Sequence, residues 1–167
     1  NGDIWTAADA MRMVAQTGAD GVVVGRGCLG RPWLFGQLAA AFAGEPIPTD
    51  PALATVLATL RRHAQLLVDD YGELRGCRDI RKHMAWYFKG FVVGGETRTA
   101  LGTVSSLVEL DDLLAQIDVD QPFPASELGV PRGRQGSPRR VVLPQGWLDD
   151  QHCDFLDADA ELDVSGG

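Results

Sequence analysis

Cysteine is scarce and nothing pairs it. Cys28, Cys77 and Cys153 stand far apart in 167 residues, an odd number with no CxxC and no Cys/His spacing. That pattern argues against a disulfide framework and against a zinc site, so no metal is expected. Long apolar runs are also missing. No stretch approaches the roughly 18 apolar residues of a membrane span, and no signal-like hydrophobic core stands at the start. The expectation is a protein of a reducing cytoplasm, away from membranes. There is no internal repeat. From residue 141 to the end the chain has no Lys or Arg, against seven acidic residues.

The net charge of −8 therefore hides an uneven distribution. Residues 51–100 carry eight Lys/Arg against five Asp/Glu, a local +3, so whole-chain acidity says little about partners. Apolar residues make up 45%, enough for one domain with a core, or for one domain and a fragment of another.

The opening "NGDIWTAADA" reads as the end of a strand entering a helix, as though the sequence begins inside a fold. Thr6 and Asp9 form a weak capping box, Met11, Val14 and Ala15 give that helix an apolar side, and Gly18 ends it. "GVVVG" (21–25) reads as a wholly apolar strand of the kind buried on both faces of a parallel sheet. A second helix follows, with Pro32 near its first turn, and runs to about Phe42. Residues 1–42 thus have α/β grammar. "AGEPIPTDP" (43–51) is a proline-rich linker. Beyond it, 52–118 reads as a small all-helical domain. Asp50 and Pro51 look like an N-cap and first helical position. Leu53, Val56, Leu57, Leu60, Ala64, Leu67 and Val68 form one stripe. A second helix is expected over about 77–90. A third is expected over about 106–117, with Ser106 and Glu109 as a capping box and Leu107, Leu110, Leu113, Leu114 and Ile117 as its apolar face. Periodicity fades after Val119, and 119–167 is expected to be a variable acidic tail, mostly extended or disordered.

Two features carry chemistry. A strand ending in Gly25-Arg26-Gly27 exposes backbone N–H groups that no side chain obstructs, which with a helix N-terminus makes an anion site. A second glycine-bearing strand end, Asn1-Gly2-Asp3, lies one βα unit upstream. In a (β/α) barrel the loops after the last two strands share a phosphate site. A phosphate is the expected occupant. Flavin mononucleotide is a natural candidate that spacing alone does not select, and a tight ligand-free turn is the alternative. The other feature is a helical stripe of Arg75, Arg78, Lys82, Trp86 and Lys89, opposite Ile80, Met84, Tyr87 and Phe91. Four cations and an aromatic on one side suit a nucleic-acid backbone and a stacked base. The alternative is an ordinary solvated face. Arg81 and His83 fall off the main stripe.

Taken in order, "NGDI", "GADGVVVGRGCLGRPWLF" and "RKHMAWYFKG" resemble the C-terminal half of the tRNA-dihydrouridine synthase family, over about residues 1–117. The resemblance implies the last two βα units of an FMN-binding TIM barrel followed by a helical tRNA-binding domain. It implies an oxidoreductase that reduces the C5–C6 double bond of particular uridines in tRNA, with NADPH or NADH reducing the flavin. Carried over by motif, Asn1, Gly2, Asp3, Gly25 and Arg26 would bind FMN, and Arg81, Lys82 and His83 would approach RNA, beside Arg78, Trp86 and Lys89 of the stripe. The family's catalytic cysteine sits on an earlier barrel strand, so no catalytic residue is expected in this chain. Cys28 reads as a small hydrophobe. A whole barrel takes about 250 residues, so this chain alone is expected to be inactive. Two other readings are another FMN barrel enzyme, such as a dihydroorotate dehydrogenase-like protein, and a non-catalytic helical RNA-binding module.

Overall fold

The computed structural model describes residues 1–133. Helix α1 (Ala7–Thr17) starts where the capping box places it. Asp9 N–H donates to the Thr6 hydroxyl, the Asp9 carboxylate accepts from the Thr6 N–H, and Gly18 closes the helix in the left-handed region. Its buried side differs from the expected one. Ala7 and Ala10 face inward, whereas Met11 is 39% exposed. A single 3-10 turn, Arg26–Cys28, precedes α2 (Leu34–Ala43). Ile4, Ala7, Ala10, Leu34 and Leu38 form the small core of this lobe, with Val22 and Val24 packed against it.

"GVVVG" is not a sheet strand here. No strand is formed among the described residues, and Val23 is 69% exposed while Val22 and Val24 turn inward. A strand exists through ladder hydrogen bonds to a neighbour, and the described residues offer this segment none. The two-sided burial expected of it becomes one-sided.

The larger core belongs to four helices: α3 (Leu53–Tyr71), α4 (Glu73–Tyr87), α5 (Gly95–Leu101) and α6 (Leu107–Leu114). The expected stripe of α3 supplies Leu53, Val56, Leu57, Leu60 and Ala64. Helix α4 supplies Ile80, Met84 and Tyr87, and the far end supplies Leu110, Leu114 and Ile117. Helix α4 begins at Glu73, four residues earlier than expected, because only Gly72 separates it from α3. Helix α5 has no apolar stripe that reveals it in sequence. Its Arg98 donates to the carbonyls of Phe88 (2.9 Å) and Phe91 (2.6 Å), satisfying groups just past the end of α4.

Two local expectations are corrected. Asp50 does not cap α3. The N-cap is Ala52, and the Asp50 carboxylate accepts from Arg31 Nη2 at 3.0 Å and Trp33 Nε1 at 2.7 Å. The α3 N-terminus is instead met by the segment after α6, for Leu53 N–H donates to the Gln121 carbonyl. Residues 120–133 are thus no loose tail. Gln121 brackets Val92, accepting from its N–H and donating to its carbonyl at 3.0 Å each. Phe123 meets Trp33 and Phe91 edge to face, and Arg132 is 2% exposed. The expectation for 134–167 lies outside the described residues. Among those described, no helix is long and apolar enough to cross a membrane.

Candidate cofactor and RNA-facing sites

The two glycine-bearing segments meet. Asn1, Gly2, Asp3, Gly25 and Arg26 line one open pocket with Ile4, Trp5, Val23 and Gly27. Gly2 and Asp3 both have positive φ, +93° and +48°, so the chain turns sharply into the pocket. The Arg26 guanidinium lies 3.6 Å from the Asp3 carboxylate and over the Trp5 ring, leaving a cation at the pocket rim. The N-terminus of α1 has few donors left to offer this pocket. The Asp9 carboxylate already accepts the Trp5 and Thr6 N–H groups. Partial burial works against its charge, and the bonds from Arg12, Thr6 and those two N–H groups outweigh burial, holding the carboxyl below its usual range.

The glycines of "GRGCLGRPW" serve different ends. At Gly25 a Cβ would meet open space, so this backbone is accessible from the pocket. A Cβ on Gly27 would overlap the Ile4 carbonyl oxygen. That glycine lets the two segments touch, rather than clearing room for a ligand. Gly30, at φ +62°, lies where any Cβ would strike the backbone of Trp86 and Tyr87. It brings the turn flush against α4.

Helix α4 does not present its cations as one face. Arg75, Arg78 and Lys82 are exposed. Arg75 lies over Tyr71, and Lys82 pairs with Asp79 at 2.7 Å. Trp86 is half-buried, and Lys89 pairs with Glu127 of the C-terminal segment at 2.9 Å. Arg81 turns to the opposite flank, where Nε donates to the Val104 carbonyl at 2.7 Å. His83 faces α3, its ring centroid 4.8 Å from that of His63. Of the six residues singled out for RNA, Arg78 and Lys82 share the open surface and the other four have separate surroundings.

Sequence reading missed the pair that holds these regions together. Arg31 is 2% exposed. It donates to the Trp5 carbonyl at 3.3 Å and to Asp50 at 3.0 Å, with Phe123 beneath it. Arg132 donates through Nη1 to the Leu29 carbonyl at 2.9 Å and the Trp86 carbonyl at 2.7 Å. One guanidinium therefore bridges the glycine-rich turn and α4. Burial, then the neighbouring Arg31 charge, lower the Arg132 pKa to about 10. Arginine in "PRGRQ" carries no mark of burial, so its role was not readable. Cys28 is partly exposed, with its thiol 3.1 Å from the Gly25 carbonyl. No group of His, Cys, Asp and Glu suited to a metal occurs among the described residues.

Comparison with known proteins agrees with the motifs. The chain is 54% identical over its full 167 residues to a protein of Mycobacterium leprae (strain TN) named "Probable tRNA-dihydrouridine synthase", covering 43% of that protein. The same values hold for the similarly named protein of Mycobacterium tuberculosis (strain ATCC 25618 / H37Rv). It is 46% identical over 90 residues to tRNA-dihydrouridine synthase B of Xanthomonas axonopodis pv. citri (strain 306), covering 53% of this chain and 27% of that one. The chain spans under half the length of these relatives. The model of the dihydrouridine synthase (Dus) family matches residues 1–122, and the chain belongs to that family.

Proposed function

We propose that this chain is the C-terminal part of an FMN-dependent tRNA-dihydrouridine synthase, supplying the cofactor's phosphate site and a surface for tRNA. The observation that carries the reading is the convergence of Asn1–Asp3 with Gly25 and Arg26 around one pocket. The pocket fits a phosphate. It has a cation at its rim and unobstructed backbone at Gly2 and Gly25, and glycine-rich loops bind anions through such backbone. Bound FMN would supply the hydride that reduces the C5–C6 double bond of a tRNA uridine, after its own reduction by NADPH or NADH.

In this reading the chain's own residues bind and position. Arg26 faces the phosphate charge, with Asp3 holding its guanidinium over the pocket. Arg78 and Lys82 neutralise RNA phosphates as point charges on an exposed face, which gives salt-dependent affinity with little sequence preference. Arg132 and Gly30 fix α4 against the turn, so the RNA-facing surface keeps a set distance from the flavin. No residue of this chain is assigned the proton transfer. A cytoplasmic location follows from the tRNA substrate.

The test is flavin occupancy of the full-length protein after purification. Gly25→Val, which places a branched side chain in open pocket space, should lose most bound FMN. Cys28→Ala should keep it. Equal occupancy in both would remove the phosphate assignment.

A further inference from the structure

A second pocket lies on the other side of the glycine-rich turn, between α3 and α4. Its volume is about 380 Å³, within the range of small-ligand sites. Leu29, Pro32 and Leu66 form apolar walls, His63, His83 and Tyr87 present aromatic rings, and exposed Arg62 stands at its edge. The His63 and His83 rings are tilted together at 4.8 Å, and Tyr87 OH lies 3.1 Å from His63 Nδ1, which fixes that ring. Burial holds both imidazoles below the usual pKa, so they meet a ligand as neutral rings; Tyr87 takes His63 Nδ1, which leaves the other His63 nitrogen and the two of His83 for the ligand. An aliphatic ligand would leave those nitrogens unmatched, and a bare phosphate would find apolar walls. A flat heterocycle with polar edges matches both.

We propose that this groove receives one unpaired nucleotide of the RNA, its base against the His63–His83 pair and its phosphate at Arg62. The inference rests on the proposed RNA substrate. RNA is favoured over a free dinucleotide because the groove lies on the same pair of helices as exposed Arg78 and Lys82, with which a continuing phosphate chain would pair. Unstacked bases resting on aromatic side chains are a common mode of RNA recognition.

The experiment measures affinity of the full-length protein for an unmodified tRNA transcript at several salt concentrations. Leu66→Glu places a carboxylate in the groove wall at a position 49% exposed, so folding should survive. It should weaken binding at least about tenfold, as expected for losing a stacked base. Val108→Glu adds the same charge on α6 at a position 70% exposed and should change affinity little. His83→Phe keeps a ring but removes its nitrogens, and should cost about fivefold with the salt slope unchanged. Arg62→Ala should lower that slope by about one. Flavin content and melting temperature should stay at wild type in Leu66→Glu. Equal affinities for Leu66→Glu and Val108→Glu, in a wild type that binds tRNA, would overturn the groove and leave the RNA reading standing. So would a raised KM for NADPH in Leu66→Glu with tRNA affinity intact. A wild type that fails to bind tRNA would remove the RNA reading itself.

Discussion

Arg132→Met isolates the bridge between the glycine-rich turn and α4. Methionine keeps much of the apolar stem and removes both donors. The Leu29 and Trp86 carbonyls then lose hydrogen bonds of 2.9 and 2.7 Å from a buried cation. Bonds to charged groups contribute about 1.5–3 kcal/mol each, so the gross loss is about 3–6 kcal/mol. Against it stands relief from burying a charge beside Arg31, whose repulsion helps depress the pKa to about 10. The net destabilisation should be about 2–4 kcal/mol. For a domain of this size that is a melting point lower by roughly 10 °C, read by thermal denaturation of the flavin-depleted protein. Arg132→Lys, which keeps the charge and its donors on one ammonium without the planar guanidinium that reaches both carbonyls, should fall between. A methionine variant that melts with the wild type would show that the two carbonyls are satisfied without Arg132, and the bridge would lose its role.

Gly30→Ala should destabilise by about 2–3 kcal/mol, since its methyl meets the α4 backbone and has no free rotamer to escape into. Gly36→Ala, where a Cβ meets open space within α2, should be neutral or slightly stabilising, and chemical denaturation compares the two. Lys82→Ala in the full-length protein should lower the salt slope of tRNA binding by about one, while Arg81→Ala should lower stability instead, because Arg81 serves the Val104 carbonyl. Stability should also fall on acidification below the ordinary histidine range. His63 and His83 have folded pKa values lowered first by burial, with Lys82 adding to the effect at His83 and Asp79 opposing it. The unfolded chain therefore binds protons first, and stability is lost from about pH 6.5 downward. Denaturation midpoints between pH 7.5 and 5 should flatten in the His63→Gln/His83→Gln variant.

Elements with strong periodicity were legible. The α3 stripe from Leu53 to Ala64, the Ile80–Met84–Tyr87 face of α4 and Leu110 and Leu114 of α6 are buried as the pattern requires, while Leu67, Val68, Leu107 and Leu113 are half-buried at the edges. The Thr6–Asp9 cap was readable because its partners are three residues apart. The failures share a cause. Asp50 resembles an N-cap until Arg31 and Trp33, far back in sequence, claim its carboxylate. "GVVVG" has strand composition, but strands need partners. Lys89 sits on the right helical stripe, yet Glu127 takes its ammonium. The meeting of Asn1–Asp3 with Gly25 and Arg26 around one pocket was legible as two glycine-bearing turns. What each glycine does was not, because clearance at Gly25 and contact at Gly27 and Gly30 depend on which backbone lies opposite.

The bond from Arg132 to Leu29 joins residues 103 apart, and this separation has a consequence for the order of assembly. The α3–α4 hairpin is local and can form as soon as it emerges during synthesis, whereas contacts of large sequence separation form late. The segment that fastens the first lobe to the helices is the last of the described chain to be made. Until it arrives, Trp33 lacks Phe123, and the Leu29 and Trp86 carbonyls lack their donor. A ribosome paused with Arg132 still in the exit tunnel should therefore hold a nascent chain with a folded α3–α4 hairpin and a protease-sensitive hinge near residues 44–52, and release of the chain should seal it.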